Sequence, residues 1–147
     1  MKFYGRESQR KSLHRILDRD AHQIGLIYGR RRVGKSELIK QVLRETSLQS
    51  IYYECKQTTE MNNTDSLAVL TGELYHFPKP AFSSMEMLLD FLFRQSQNEP
   101  LVLVLDEYPY LREAVTGLDS ILQTLSDRYR DCSALKLILC CTYVDIM

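Results

Sequence analysis

Apolar positions along this chain change their spacing repeatedly, and each change predicts an element. Leu13, Ile16 and Leu17 recur at helical spacing, which predicts an amphipathic helix that the acidic pair Asp18 and Asp20 brings to an end. The run Ile24, Leu26, Ile27 and Tyr28 predicts a strand over 23–28, and Leu38, Ile39, Val42 and Leu43 predict a helix ending near Thr46. Ile51, Tyr52 and Tyr53, β-branched and aromatic in character, place a second strand over 50–55. Cap-forming residues from Asn62 to Asp65 precede Leu67, Leu70 and Leu74, so a helix is expected from Asp65 to Tyr75, broken by His76-Phe-Pro-Lys-Pro. Ser83 with Glu86 three residues on is a capping-box signature, followed by the apolar face Leu88, Leu89, Leu92 and Phe93. After Pro100 the chain runs L-V-L-V-L-D-E over 101–107, with no polar face to spare; a strand of this kind is covered on both sides. Leu118, Ile121, Leu122, Leu125 and Tyr129 predict a helix from Gly117 to Arg130, and 135–141 reads as a fourth strand. Strands alternating with helices predict an α/β fold on a mainly parallel sheet.

Composition narrows the class. With 147 residues, 44% apolar and 26% charged, the chain suits one globular domain able to bury a real core. No apolar run approaches ~18 residues and the N-terminus Met-Lys-Phe-Tyr-Gly-Arg-Glu has no signal-peptide core, so a membrane partner is not expected and the expected compartment is the cytoplasm. Cys55, Cys132, Cys140 and Cys141 have no C-x-x-C spacing; buried free thiols are expected, with the adjacent pair on opposite faces of a strand. The net charge of zero is unevenly placed: residues 1–50 carry 12 Lys/Arg against 5 Asp/Glu, and the remainder 7 against 14. A nucleic-acid face can arise from such asymmetry, but Arg30, Arg31, Arg32 and Lys35 make a polyphosphate the nearer explanation, and charge alone does not establish a DNA partner.

The chemistry gathers at Gly29 to Ser36, G-R-R-R-V-G-K-S, which meets G-x-x-x-x-G-K-[ST] at every fixed position. A loop that wraps a triphosphate turns its backbone N–H groups inward, and a Cβ at Gly29 or Gly34 would obstruct that approach. Lys35 then brings a point charge to the β and γ phosphates. The Ser36 hydroxyl can hold magnesium, and the helix it opens directs its positive dipole end at the same anion. The residues expected to cradle ATP are thus Gly29, Arg30, Arg31, Arg32, Val33, Gly34, Lys35, Ser36 and Glu37. Asp106 and Glu107 close the apolar strand at the end where open α/β sheets bind ligands. Asp106 is expected to hold magnesium, directly or through water, and Glu107 to polarise the water that attacks the γ-phosphate.

These pieces resemble the archaeal-type P-loop ATPases, a prokaryotic family allied to the AAA-type and STAND nucleotide-binding domains. The resemblance rests on Phe3 to Glu7 (F-Y-G-R-E) with Leu13, on Tyr28 to Ser36 (Y-G-R-R-R-V-G-K-S), on Leu105 to Leu111 (L-D-E-Y-P-Y-L) and on Leu137 to Met147 (L-I-L-C-C-T-Y-V-D-I-M). It implies a three-layer αβα P-loop NTPase core with the fourth strand between the phosphate-loop strand and the Asp106 strand. It implies Gly5, Arg6 and Glu7 near the adenine, Thr142 as a sensor reaching toward the γ-phosphate or the attacking water, and Arg128 and Arg130 as candidate arginine fingers. Members usually carry Gly-Ser where this chain has Cys141-Thr142; Thr142 keeps the hydroxyl. The family also has a fifth strand beyond the phosphate loop, a helical lid and C-terminal domains, so the resemblance implies one domain over 1–147, cut short before these parts. The strand over 23–28 would then be a bare sheet edge, open to self-association or a borrowed strand.

The leading expectation is an ATP-binding domain with magnesium-dependent hydrolysis. GTP is disfavoured by the absence of N-K-x-D. A nucleotide-dependent switch or assembly module with negligible turnover, acting on a missing C-terminal domain or protein partner, is the alternative, and a remnant that binds nothing is a third.

Overall fold

The computed structural model describes residues 10, 11, 13–15, 17, 23–30, 35–78 and 81–143, of which 23–30, 35, 142 and 143 are described through their backbone. Four strands, β1 (Gln23–Arg30), β2 (Gln49–Glu54), β3 (Leu101–Asp106) and β4 (Leu135–Tyr143), form one sheet in the order β1-β4-β3-β2. Every neighbouring pair is parallel. The fourth strand therefore lies between the phosphate-loop strand and the Asp106 strand, as the resemblance implied. Among the described residues six helices accompany the sheet: α1 (described at 10, 11, 13–15 and 17), α2 (Lys35–Glu45), α3 (Glu60–Tyr75), α4 (Met85–Gln95), α5 (Tyr108–Ala114) and α6 (Leu118–Arg128).

Side-chain alternation on the strands divides the core into two layers. Leu101, Leu103 and Leu105 of β3, with Leu135, Leu137, Leu139 and Cys141 of β4, pack against α3, α4, α5 and α6. Val102, Val104, Ile138 and Cys140 face the other way, onto Leu13 and Leu17 of α1 and Leu38, Ile39 and Val42 of α2. Helices on both faces leave β3 buried at all six positions, which is why its sequence is a continuous apolar run. Cys140 and Cys141 point to opposite faces as expected, whereas Cys132 is exposed, contrary to the expectation of four buried thiols. Burial pushes the Cys55 thiol far above its usual range, so that cysteine behaves as a small apolar residue. Among the described residues no helix is long and apolar enough to cross a membrane.

Several boundaries move for identifiable reasons. α3 starts at Glu60 rather than Asp65, because Thr59 supplies the cap: its side chain accepts from the Asn62 N–H. Asn63 and Thr64, read as cap formers, are buried inside the helix instead. Asn63 takes the Tyr53 hydroxyl at 2.5 Å and the Lys56 N–H at 3.0 Å on its Oδ1, and its Nδ2 donates to the Lys56 and Thr59 carbonyls. It pins the turn that follows β2. At α4 the cap is Ser84, which accepts from Met87 N–H at 3.1 Å; Ser83 lies against the Met87 sulfur. The expected box partner Glu86 is exposed, and the carboxylate that reaches this helix start is Glu60, accepting from Met85 N–H at 3.0 Å.

Ser84→Ala is therefore expected to cost about 1 kcal/mol of unfolding free energy, against less than about 0.5 kcal/mol for Ser83→Ala, in paired denaturant titrations.

Candidate functional site

β1 and β3 are not neighbours, since β4 lies between them. The loop that follows β1 and the acidic tip of β3 can meet only over the C-terminal end of β4, in the crevice that such sheets offer to ligands. The structure brings the start of α2 to the acidic tip of β3. Ser36, in the first turn of α2, donates its hydroxyl to Asp106 Oδ2 at 2.7 Å. The backbone N–H of Glu107 donates to the other oxygen, Oδ1, at 2.9 Å. Asp106 is 2% exposed, so both contacts act in a desolvated setting where a charge-assisted hydrogen bond gains strength.

A third donor comes from β2, at a position that no motif marks. The Tyr52 hydroxyl also donates to Asp106 Oδ2. Tyr52 is level with Val104 in the β2–β3 register, two residues short of the Glu54–Asp106 pair, so its ring runs along the sheet toward the strand ends. Lys40, one helical turn beyond Ser36 on α2, holds its Nζ 5.1 Å from the ring centroid. Burial, and then donation to Asp106, push the Tyr52 phenol well above its usual range, so it stays a proton donor. Its signal in the sequence was only an aromatic with a polar tip on the face opposite Ile51 and Tyr53.

Glu107 occupies the left-handed region, with φ 54° and ψ 44°, at the position before α5. A residue with a Cβ is strained there by roughly 1–2 kcal/mol. The conformation turns the chain from β3 directly into α5, a helix absent from the sequence reading, although Pro109 in its first turn is a recognised start signal. Tyr108 packs under this turn and donates to Asp119 Oδ1 at 2.5 Å.

The remaining expected residues are placed as follows. Gly29 and Arg30 close β1, and Gly29 is in register with Thr142 on β4, which sets the Thr142 backbone level with the start of the phosphate loop. Lys35 opens α2, and Glu37 is exposed in its first turn. Arg31, Arg32, Val33 and Gly34 lie outside the described residues, as do Gly5, Arg6 and Glu7 and the side chains of Lys35 and Thr142. Arg128 pairs with Asp90 at 3.0 Å and Arg130 with Asp127 at 2.7 Å. Both precede β4, at the rim opposite Asp106, so neither serves this chain's own site. A shallow cavity of about 440 Å³ on that far rim, lined in part by Ser96, Gln97, Arg130 and Cys132, is equally remote from it.

The donor set suits a hard cation. A serine hydroxyl and a carboxylate offer oxygen alone, and among the described residues no three His, Cys, Asp or Glu side chains gather into a metal site. A cation held at Ser36 and Asp106 would complete its shell with phosphate and water oxygens, which is the habit of magnesium.

A parallel α/β sheet with this crevice defines a P-loop ATPase fold. The sequence matches, over residues 3–142, the family described as an ATPase domain predominantly from Archaea, and the chain belongs to that family. It is 26% identical to an uncharacterised protein of Methanocaldococcus jannaschii, over 99% of this chain and 30% of that one. The Walker-type ATPase paby2304 of Pyrococcus abyssi has a similar fold, with a TM-score of 0.66 and 23% identity over 92% of this chain and 44% of its own. So does the ORC1 protein of Aeropyrum pernix, solved in complex with DNA, with a TM-score of 0.67 and 18% identity over 94% and 39%. The chain thus spans less than half the length of each of these relatives.

Glu107→Gly should relieve the left-handed strain and raise the unfolding free energy by about 0.5–1 kcal/mol, an increase that denaturant titration would register.

Proposed function

We propose that this domain binds magnesium-ATP over the C-terminal end of β4 and hydrolyses it. At the level of the family an ATPase domain is established; the assignments of individual residues are our reading. The observation that carries it is the 2.7 Å contact between Ser36 and Asp106, which joins the helix after the phosphate loop to the acid of a strand two positions away.

In this reading the backbone from Gly29 to Gly34 cradles the phosphates, with Arg30, Arg31, Arg32 and Val33 in the loop and Glu37 just beyond it. Lys35 places its charge on the β and γ phosphates. Ser36 and Asp106 would hold magnesium, which when bound would neutralise charge on the phosphate oxygens. Glu107 orients a water against the γ-phosphorus and takes its proton as the bond to the β–γ bridging oxygen breaks. Thr142, level with Gly29, senses the γ-phosphate.

A second reading is favoured by the place of β1. The strand that feeds the phosphate loop is bonded to β4 and has no strand on its other side among the described residues. Occupancy of the loop would be felt at that edge, where a second copy or a partner strand could add. Hydrolysis at background with a nucleotide-dependent change in oligomer size, by light scattering, would select this switch over the enzyme.

For the enzyme, Lys35→Ala is expected to lose ATP binding, and Glu107→Gln to retain binding while turnover falls by about 10²–10⁴-fold. Magnesium-ATP at about 100 times its Kd should stabilise the wild type by about 2.7 kcal/mol in thermal unfolding. Unchanged turnover in Glu107→Gln would remove Glu107 from the mechanism.

A further inference from the structure

Tyr52 lies outside the motifs that define the site, yet it shares an acceptor atom with Ser36: both hydroxyls donate to Asp106 Oδ2. The two donors come from different directions. Ser36 approaches from the first turn of α2, and Tyr52 from β2, which borders β3 on the side away from β4. With the Glu107 N–H on Oδ1, both carboxylate oxygens are held.

A hydroxyl that is to meet a cation must turn its lone pairs toward it and send its proton elsewhere. The Ser36 proton can go to Asp106 only while that carboxylate keeps its present rotation. The Glu107 N–H holds Oδ1, and at Oδ2 the Ser36 hydroxyl reaches the carboxylate from a short side chain on α2. The Tyr52 phenol provides a second, independent anchor. Its own position is set along the whole ring, by the partly buried face against the α1–α2 layer and by Lys40 over the π-surface. Ser36 and Lys40, at i and i+4, lie on one face of α2, so the same stripe of that helix seats both ends of the tyrosine.

We infer that Tyr52 is a positioning residue for the cation: its phenol holds the Asp106 carboxylate so that the Ser36 proton is committed to Asp106 and the Ser36 oxygen is free to face the phosphate loop. This rests on the proposed function, and it adds β2 to the elements that set magnesium affinity. The requirement is for a phenol rather than a ring. Phenylalanine keeps the packing and the contact with Lys40 and removes only the donor.

The test is Tyr52→Phe, read by equilibrium ATP binding as magnesium is varied. The magnesium midpoint is expected to rise about tenfold, the worth of one charge-assisted hydrogen bond, while binding is restored at high magnesium and ATP binding in chelator is unchanged. A lesion of folding alone would weaken ATP binding in chelator as well. Lys40→Met, which loosens the seat of the ring and keeps the phenol, should shift the midpoint the same way by a smaller factor. In metal-free protein, a double-mutant cycle of Tyr52→Phe with Asp106→Asn should be non-additive in thermal unfolding. A Tyr52→Phe midpoint within about twofold of a normally binding wild type, or an additive cycle, overturns the inference alone. A wild type that binds no magnesium-ATP overturns the functional reading along with it.

Discussion

A carboxylate buried at the tip of a strand is the constraint around which this domain is arranged. Asp106 is nearly inaccessible to water, and an ionised group so placed is tolerable only if hydrogen-bond donors replace its hydration. The donors come from three places: the first turn of α2, the middle of β2 and the turn that opens α5. α2 and β2 are consecutive elements, whereas the turn that opens α5 follows β3, far along the chain. The parallel sheet is what delivers them to one point, because parallel strands end together at one rim and the helices that follow them start there.

The order of the strands then does the chemical work. With β4 inserted between β1 and β3, the end of β1 and the end of β3 are held apart by the width of one strand, the arrangement in which open α/β sheets offer a crevice to ligands. Ser36 crosses it. The two faces of the sheet serve different purposes: the larger layer of α3 to α6 closes the core around β3, whereas the smaller layer of α1 and α2 carries the site. α1 is fastened to α2 at its far end by Arg10 and His14 on Glu45, which also holds the Glu45 carboxyl below the usual range, the Arg10 hydrogen bond first and the His14 contact second. Strain at Glu107 fits the same picture, since a residue forced into a left-handed turn within a site is retained where surrounding structure dictates it.

The phosphate-loop pattern was legible in the sequence because such a loop is a local device. Its glycines, lysine and serine must be adjacent in the chain for their backbone groups to converge, so Gly29 to Ser36 could be found by spacing. The Asp106 strand was visible for a different reason: burial on both faces leaves an apolar run ended by acids. Tyr52 was not visible, because a tyrosine in a strand reads as core until its hydroxyl is given a destination. The caps of α3 and α4 were misplaced by the same kind of ignorance. Asn63 was needed for the turn after β2, and Glu60 was needed at the start of α4, twenty-five residues on.

The sequence by itself settled the alternation of strands and helices and the two-sided burial of β3, both of which depend on residues within a turn or two of one another. The strand order was implied by family resemblance and not by any pattern of residues. Only the tertiary structure decided that Ser36, Tyr52 and Asp106 share one point, since that contact spans seventy residues and is made by the sheet as a whole.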